Sequence, residues 1–460
     1  MNEQMTKQNH LPAENKMGVM PVNKLLISMS VPMMISMLVQ ALYNIVDSIF
    51  VARVCEDALT AVSLAFPMQS LMIALAGGTG VGLNALVSKS LGEKNFEKAN
   101  SAARNGVFLY ALSYLVFLVI GLFMVKPFYY AQTSDPEILK YGIDYLTIVL
   151  CMSMGIFAQF VFERLLQATG KTLYTMFTQL TGAVINLILD PILIFGLFGF
   201  PRMEAAGAAL ATVIGQIAAG SFACILNLKK NEEINLSLKG FRPDKHIIGR
   251  IYKVGIPSII MQSIGSIMTF SLNQILIAFS STATAVLGVY FKLQSFIFMP
   301  VFGLNNGMVP IIAYNFGAAK RKRMMDTYKL SVAIAAVIMS LGTIAFLTIP
   351  EVMFGFFNAS EHMLEMGVPA LRIIGIHFPV AAFCIITGSL FQALGNAVYS
   401  MINSICRQIV VLIPAAYLLA QLGNVNYVWW AFPIAEIASA ILTTIFLIKV
   451  KKNVIDKVRG

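Results

Sequence analysis

Apolar residues run along this chain in long blocks separated by short polar segments. Twelve blocks have the roughly 20 residues that a helix needs to cross a bilayer: 24–52, 58–86, 103–127, 138–161, 168–198, 204–228, 247–278, 283–312, 325–350, 364–388, 393–421 and 426–449. They are numbered here as spans 1 to 12. Polar residues inside two of the blocks are ordered rather than scattered. In span 1, Gln40, Tyr43, Asn44 and Asp47 follow at steps of three and four, which places them on one helical face amid Met, Ile, Leu, Val and Ala. In span 5, Gln179, Gly182, Asn186 and Asp190 repeat that spacing. Each of these spans also carries a proline, Pro32 and Pro191. Proline lacks a backbone donor, so both helices are expected to bend.

A second pattern spans the whole chain. Displaced by 225 residues, Pro32 falls on Pro257, Gln69 on Gln294, Gly82 on Gly307, Gly92 on Gly317, Gly142 on Gly367 and Gly170 on Gly395. Each half holds six spans, an even number, so both enter the membrane in the same orientation. This is a parallel repeat related by an axis along the membrane normal. The expected architecture is an all-α integral membrane protein, with twelve transmembrane helices in two pseudo-symmetric six-helix bundles around a central cleft. The expected organisation is an N-terminal tail (1–23), a first lobe (24–228), a linker (229–246), a second lobe (247–449) and a C-terminal tail (450–460). Such paired bundles suit alternating access.

Composition sharpens this picture. Hydrophobic residues are 58% of the chain and charged residues 12%, about half the charge of a soluble domain. No polar stretch is long enough for a folded soluble module. The net charge of +11 would suit nucleic acid, but its distribution does not. With both termini placed inside, 26 of the 33 Lys and Arg fall at the termini or in inward loops; Arg53, Lys126, Lys140 and Arg202 fall outside, and Lys292, Arg372 and Arg407 lie within spans. That is the positive-inside pattern. It predicts a multi-pass protein of the cell (inner) membrane with cytoplasmic termini. The polar first twenty residues lack a signal peptide's apolar core. The five cysteines form no CxxC and are expected to be packing residues. The spans contain no HExxH or GxSxG, so an enzyme is not expected.

Candidate chemistry lies in the first lobe. A charge in lipid is expensive, so Asp47 and Asp190 imply a protein- or water-lined interior. In the second half Asp47, Asn186 and Asp190 are matched by Leu272, Val411 and Ala415. The scaffold is duplicated and the acid pair is not, which points to an ion or proton site in the first bundle alone. Two acids meeting in a dry bundle are expected to hold at least one proton near neutral pH, through desolvation and like-charge repulsion. Tyr145 and Thr212 are candidate hydroxyl partners. The alternative is that the two acids are inert packing residues, a costly way to pack helices. Glu163 and Arg164 are expected to be a solvated or gating pair at the end of span 4. Arg407 is a candidate for the cleft or an interhelical anchor, Glu436 for pairing with one of the intramembrane cations, and His377 for a satisfied interior histidine. The 26 Met and 32 Phe suit a cavity that accepts varied lipophilic cations, although they fill any helix bundle.

The combination VPxxxxxLVQxLYNxVDxxFV over span 1, NxxxDP from Asn186 to Pro191, GAALAT from Gly207 to Thr212, and Gln-Ala-x-Gly at Gln167 and Gln392 resembles the multidrug and toxic compound extrusion transporters. The resemblance covers nearly the whole chain. It implies a two-lobed antiporter that expels organic cations against a proton or sodium ion, with no cofactor beyond that coupling ion. It also implies that Asp47, Asn186, Asp190, Tyr145 and Thr212 form the cation site of the first lobe. Gln40, Tyr43, Asn44, Gln179, Glu163 and Arg407 are candidates for a substrate cleft. Spans 7, 8 and 10 carry no interior acid, which favours protons over sodium. The expected partners are cationic amphipathic small molecules and the lipid bilayer; no nucleic acid or obligatory protein partner is expected, and a monomer is. The rival reading is a flippase of lipids or lipid-linked sugars, which would need a cleft rich in Arg and Lys.

Overall fold

The structure is a computed structural model that describes residues 14–237, 239–357 and 359–458. The first thirteen residues of the N-terminal tail and the last two of the C-terminal tail lie outside them. Ten helices are long and apolar enough to cross a membrane, and two bent helix pairs complete twelve spans. The first lobe comprises Val22–Ala52, Glu56–Gly92, Phe96–Phe123, the pair Pro136–Cys151 and Met154–Ala168, Thr172–Phe195 and Glu204–Lys230. The second comprises Lys245–Ile277, Ser281–Gly317, Arg321–Thr348, the pair Glu361–Gly375 and Phe378–Ala393, Ala397–Ala420 and a last span centred on Ala431–Asn453. No strand occurs among the described residues. Rows of exposed Ile, Leu, Val and Phe cover the outer helix faces, as expected where the surrounding solvent is lipid.

The 225-residue repeat is visible in the backbone. Cys55 Sγ accepts from the Ala58 amide at the start of span 2, and Ser280 Oγ accepts from the Ala283 amide at the start of span 8. Asp135 and Ser360 cap spans 4 and 10 in the same way. Both of those spans break, by 42° after Cys151 and by 51° after Gly375. Spans 1 and 5, by contrast, remain helical through Pro32 and Pro191. The breaks in the helical backbone therefore fall in spans 4 and 10. Gly142 lies against the ring of Tyr129, and Gly367 against that of Phe354.

The two lobes meet at the end of the molecule that carries the linker. A Cβ on Gly92 would lie 1.9 Å from the Tyr314 carbonyl oxygen, and one on Gly317 would lie 2.1 Å from that of Lys89. These are pseudo-equivalent contacts, since 225 residues separate Gly92 from Gly317 and Lys89 from Tyr314. Only glycine permits helices to approach so closely. A short N-terminal segment crosses the same face. Asn15 Nδ2 donates to the Thr169 carbonyl at 3.0 Å and to both Glu233 oxygens at 2.7 Å. Met17 O accepts from Asn315 and Arg323, and Lys320 Nζ donates to Gly18 O and Glu14. The linker face is thus closed.

Candidate functional site in the first lobe

The polar face of span 5 is the spine of the site. Gly182 and Gly215 let spans 5 and 6 touch backbone to backbone: a Cβ on Gly215 would meet the Gly182 carbonyl oxygen at 2.7 Å. This brings Asn186 to span 6, where its Nδ2 donates to Thr212 Oγ1 at 3.3 Å and to Asp190 Oδ1 at 3.2 Å. Asp190 is fully buried. Asp47, from span 1, brings its carboxyl within hydrogen-bonding reach of Asp190. Asp47 Oδ1, Asp190 Oδ2 and Asn186 Oδ1 are buried without a hydrogen-bond partner among the described residues. Tyr43 and Tyr145 lie within electrostatic range of Asp47, and Tyr145 Oη accepts from Gln69 Nε2 at 3.0 Å. The structure therefore brings together Asp47, Asn186, Asp190 and Thr212, from three different spans, while the hydroxyl of Tyr145 on span 4 is held by Gln69.

Towards the linker end, a cavity of ≈ 180 Å³ adjoins this cluster. Gln40, Tyr43, Asn44, Gln179 and Glu163 line it, together with Asn186 and Thr212. Glu163 is only 5% exposed, which corrects its expected place in a solvated pair. It accepts from Gln159 at 3.0 Å, Thr178 at 2.9 Å and Gln179 at 2.8 Å. Arg164 does not pair with it. Its Nη1 donates to Gln167 and, at 3.0 Å, to Asn306 of the second lobe. Span 5 thus carries carboxyl partners at two levels, Gln179 and Asp190, about 16 Å apart at 1.5 Å per residue.

Sequence reasoning missed Gln159, Thr178 and Asn306 as components, and named Arg164 only as a partner of Glu163. The four-residue step from Gln159 to Glu163 was an available signal. The contact across lobes was not, because it depends on how the halves dock.

The other intramembrane cations lie elsewhere. Arg407 does not line this cavity: its Nη1 lies 3.2 Å from Glu436 Oε2, so it is an anchor within the second lobe. Arg372 pairs with Glu351 at 3.0 Å on the exposed surface and is not an interior cation. Lys292 lies over the Phe357 ring. His377 is buried, with Nδ1 2.5 Å from the Ile374 carbonyl oxygen, as expected of a satisfied histidine. No group of three or more His, Cys, Asp or Glu that could hold a metal occurs among the described residues. The Asp–Asn–Asp–Thr set nevertheless presents oxygens of the kind that suit a hard monovalent cation or a proton.

The chain is similar to known proteins over nearly its whole length. The chain is 29% identical to the "Multidrug export protein MepA" of Staphylococcus haemolyticus (strain JCSC1435) over 436 residues, 94% of this chain and 95% of that protein. It is 28% identical to the protein of the same name in Staphylococcus aureus (strain MRSA252) over 433 residues, 93% and 94% of the two. A solved structure described as the outward-facing conformation of a multidrug resistance MATE family transporter of the MOP superfamily superposes with a TM-score of 0.89. It covers 96% of this chain and 99% of its own, at 25% identity. A MOP superfamily transporter from Pyrococcus furiosus, described as having a binding pocket of reverse polarity, superposes with a TM-score of 0.86 at 25% identity, over 95% and 98% of the chains. The family model MatE matches residues 32–192 and again 257–418, two stretches whose starts lie 225 residues apart. Those stretches contain Asp47, Asn186 and Asp190 in the first copy and the apolar Leu272, Val411 and Ala415 in the second, and the chain belongs to the MatE family.

Proposed function

We propose that this protein is a multidrug efflux antiporter that exports lipophilic organic cations across the cell membrane in exchange for protons. The observation that carries the reading is the meeting of Asp47 and Asp190 in the interior of the first lobe, where Asp47 Oδ1, Asp190 Oδ2 and Asn186 Oδ1 are buried without a hydrogen-bond partner among the described residues. Ionised, the pair is a negative site in a low-dielectric wall and attracts a cation. Protonated, it loses that charge and gains donors that can reach Asn186 or each other. Binding of proton and drug is then antagonistic, which is the requirement for exchange. Glu163, Gln179, Gln40, Tyr43 and Asn44 form the substrate-facing wall. At ≈ 180 Å³ the cavity is smaller than the roughly 300–1,000 Å³ of ordinary drug-sized pockets, so substrate entry requires the lobes to move. The positive-inside pattern places the linker face in the cytoplasm.

Protons are favoured over sodium because Glu436, the one acid buried in the second lobe among the described residues, is paired with Arg407. The oxygen set of the first lobe keeps sodium as the competing coupling ion. The flippase reading gains no support from Lys292, Arg372 and Arg407, which do not line the cavity. Ethidium efflux in everted vesicles tests the proposal. A pH gradient without sodium should drive it; sodium-dependent efflux with no pH gradient would reverse the choice of ion. Failure of both gradients to drive any cation would overturn the reading.

A further inference from the structure

A second concavity lies far from the acid pair, on the linker face of the second lobe. Its volume is ≈ 780 Å³. The first turns of span 9 and the end of span 12 form it, contributing Lys320, Arg321, Lys322, Arg323, Lys329 and Lys451 against one carboxylate, Asp326. Three of these cations are already engaged. Lys320 pairs with Glu14, Arg321 with Asp456, and Arg323 donates to the carbonyls of Met17 and Met20. Lys322, Lys329 and Lys451 are exposed and make no ion pair among the described residues.

The groove is continuous with the lipid-facing surface. On span 9 the exposed positions Lys329, Ala333, Val337, Leu341 and Ile344 form one stripe at steps of three and four. On span 12 the exposed Ile434, Ile437, Ile441, Ile445 and Ile448 form another, which ends at Lys451 and Lys452. Span 9 has 28 residues, so it is about 42 Å long at 1.5 Å per residue. That exceeds a hydrocarbon core of roughly 30 Å, and its basic first turns stand at headgroup level. The amides of its N-terminus add partial positive charge to the same place.

We propose that this groove is a binding site for an anionic phospholipid. The phosphate is held by Lys322, Lys329 and Lys451, and the acyl chains lie along the two aliphatic stripes. Charge complementarity selects the headgroup, and the stripes select a lipid over a free phosphate. The site is distinct from the acid pair and does not depend on the transport reading.

Native mass spectrometry of the full chain in detergent tests it, with phosphatidylglycerol and phosphatidylcholine of identical acyl chains as probes. The parent should retain phosphatidylglycerol at concentrations where phosphatidylcholine leaves little adduct. The triple variant K322Q/K329Q/K451Q should lose roughly a hundredfold in apparent affinity, at about fivefold for each cation near an anionic lipid. The charge-keeping variant K322R/K329R/K451R should restore it. All three side chains are exposed, and unfolding temperatures in detergent will show whether the variants fold like the parent. If the glutamine variant folds poorly, the parent's preference between the two lipids and the arginine variant carry the test. Equal retention of both lipids, or undiminished affinity in a folded glutamine variant, would overturn the proposal. So would competition by glycerol 3-phosphate as effective as the lipid itself, which would identify a soluble phosphate ligand.

Discussion

At the scale of single residues, the proposed coupling rests on two carboxyl groups that cannot both be comfortably ionised at hydrogen-bonding range in a dry bundle. Asp47→Asn and Asp190→Asn each keep the shape and remove the exchangeable charge. Either variant should reduce ethidium efflux from vesicles to background while membrane insertion and expression stay normal; full efflux by Asp47→Asn protein would remove the basis of the proposal. The sign of the pH effect follows. Protonation removes the negative charge that attracts the drug, so cation affinity in detergent should fall as pH is lowered from 8 to 5. That dependence should vanish in the Asn variant of the coupling residue. A flat profile for the parent protein would mean that the acids do not link proton to drug. Asn186→Ala probes the support, since the amide joins Asp190 to Thr212 at 3.2 and 3.3 Å. Hydrogen bonds to charged groups contribute about 1.5–3 kcal/mol, so coupling should weaken by roughly ten- to a hundredfold without disappearing.

At the scale of helices, periodicity made some of the site legible and hid the rest. The stripes from Gln40 to Asp47 and from Gln179 to Asp190 each lie on one unbroken helix, so counting by threes and fours placed them on shared faces. Glu163 was misplaced because span 4 breaks after Cys151, and the second piece turns its polar side inward against Thr178 and Gln179. The broken positions in spans 4 and 10 are themselves related by the repeat; Gly375 and Pro379 mark the second break in the sequence, whereas Cys151 to Met154 carries no proline. In span 11 the helix widens to a π form over Cys406–Leu412, and Arg407 reaches from that segment to Glu436 on span 12. Removing one member of a buried pair leaves an uncompensated charge and costs about 3–5 kcal/mol, whereas replacing both with apolar residues is often neutral. Glu436→Ala should therefore lower the thermal unfolding midpoint in detergent sharply. The double variant Arg407→Met, Glu436→Leu should recover most of the loss. Equal stability of the single variant and the parent would show that the pair is solvated rather than buried.

At the scale of the whole molecule, the repeat converts one sequence into two bodies whose closest backbone approach on the linker face is made at glycines. Gly92 and Gly317 close the linker face by contact with each other's neighbouring backbone, and the segment from Glu14 to Met20 ties the first lobe and linker to the second lobe through Asn15, Met17 and Gly18. Hydrogen bonding and the charge of Lys320 hold the Glu14 carboxyl below its usual range. Its tie is therefore present at neutral pH and is lost only as the pH falls through that lowered value. Alternating access requires this face to open, because a cavity that never reaches it cannot load from that side. Spin labels at Lys94 and Ala319, exposed positions beside the two glycines, should report a short distance in the closed form and a longer one in the open form. Drug or pH should redistribute the two populations rather than shift a single distance. Asn15→Ala removes donors to Thr169 and Glu233 and so weakens only the closed form. A loss of about 1–2 kcal/mol corresponds to a roughly five- to thirtyfold shift in the ratio of the two populations, towards the longer distance. One unchanging distance across substrate, pH and the Asn15 variant would mean that the lobes do not rock about this face.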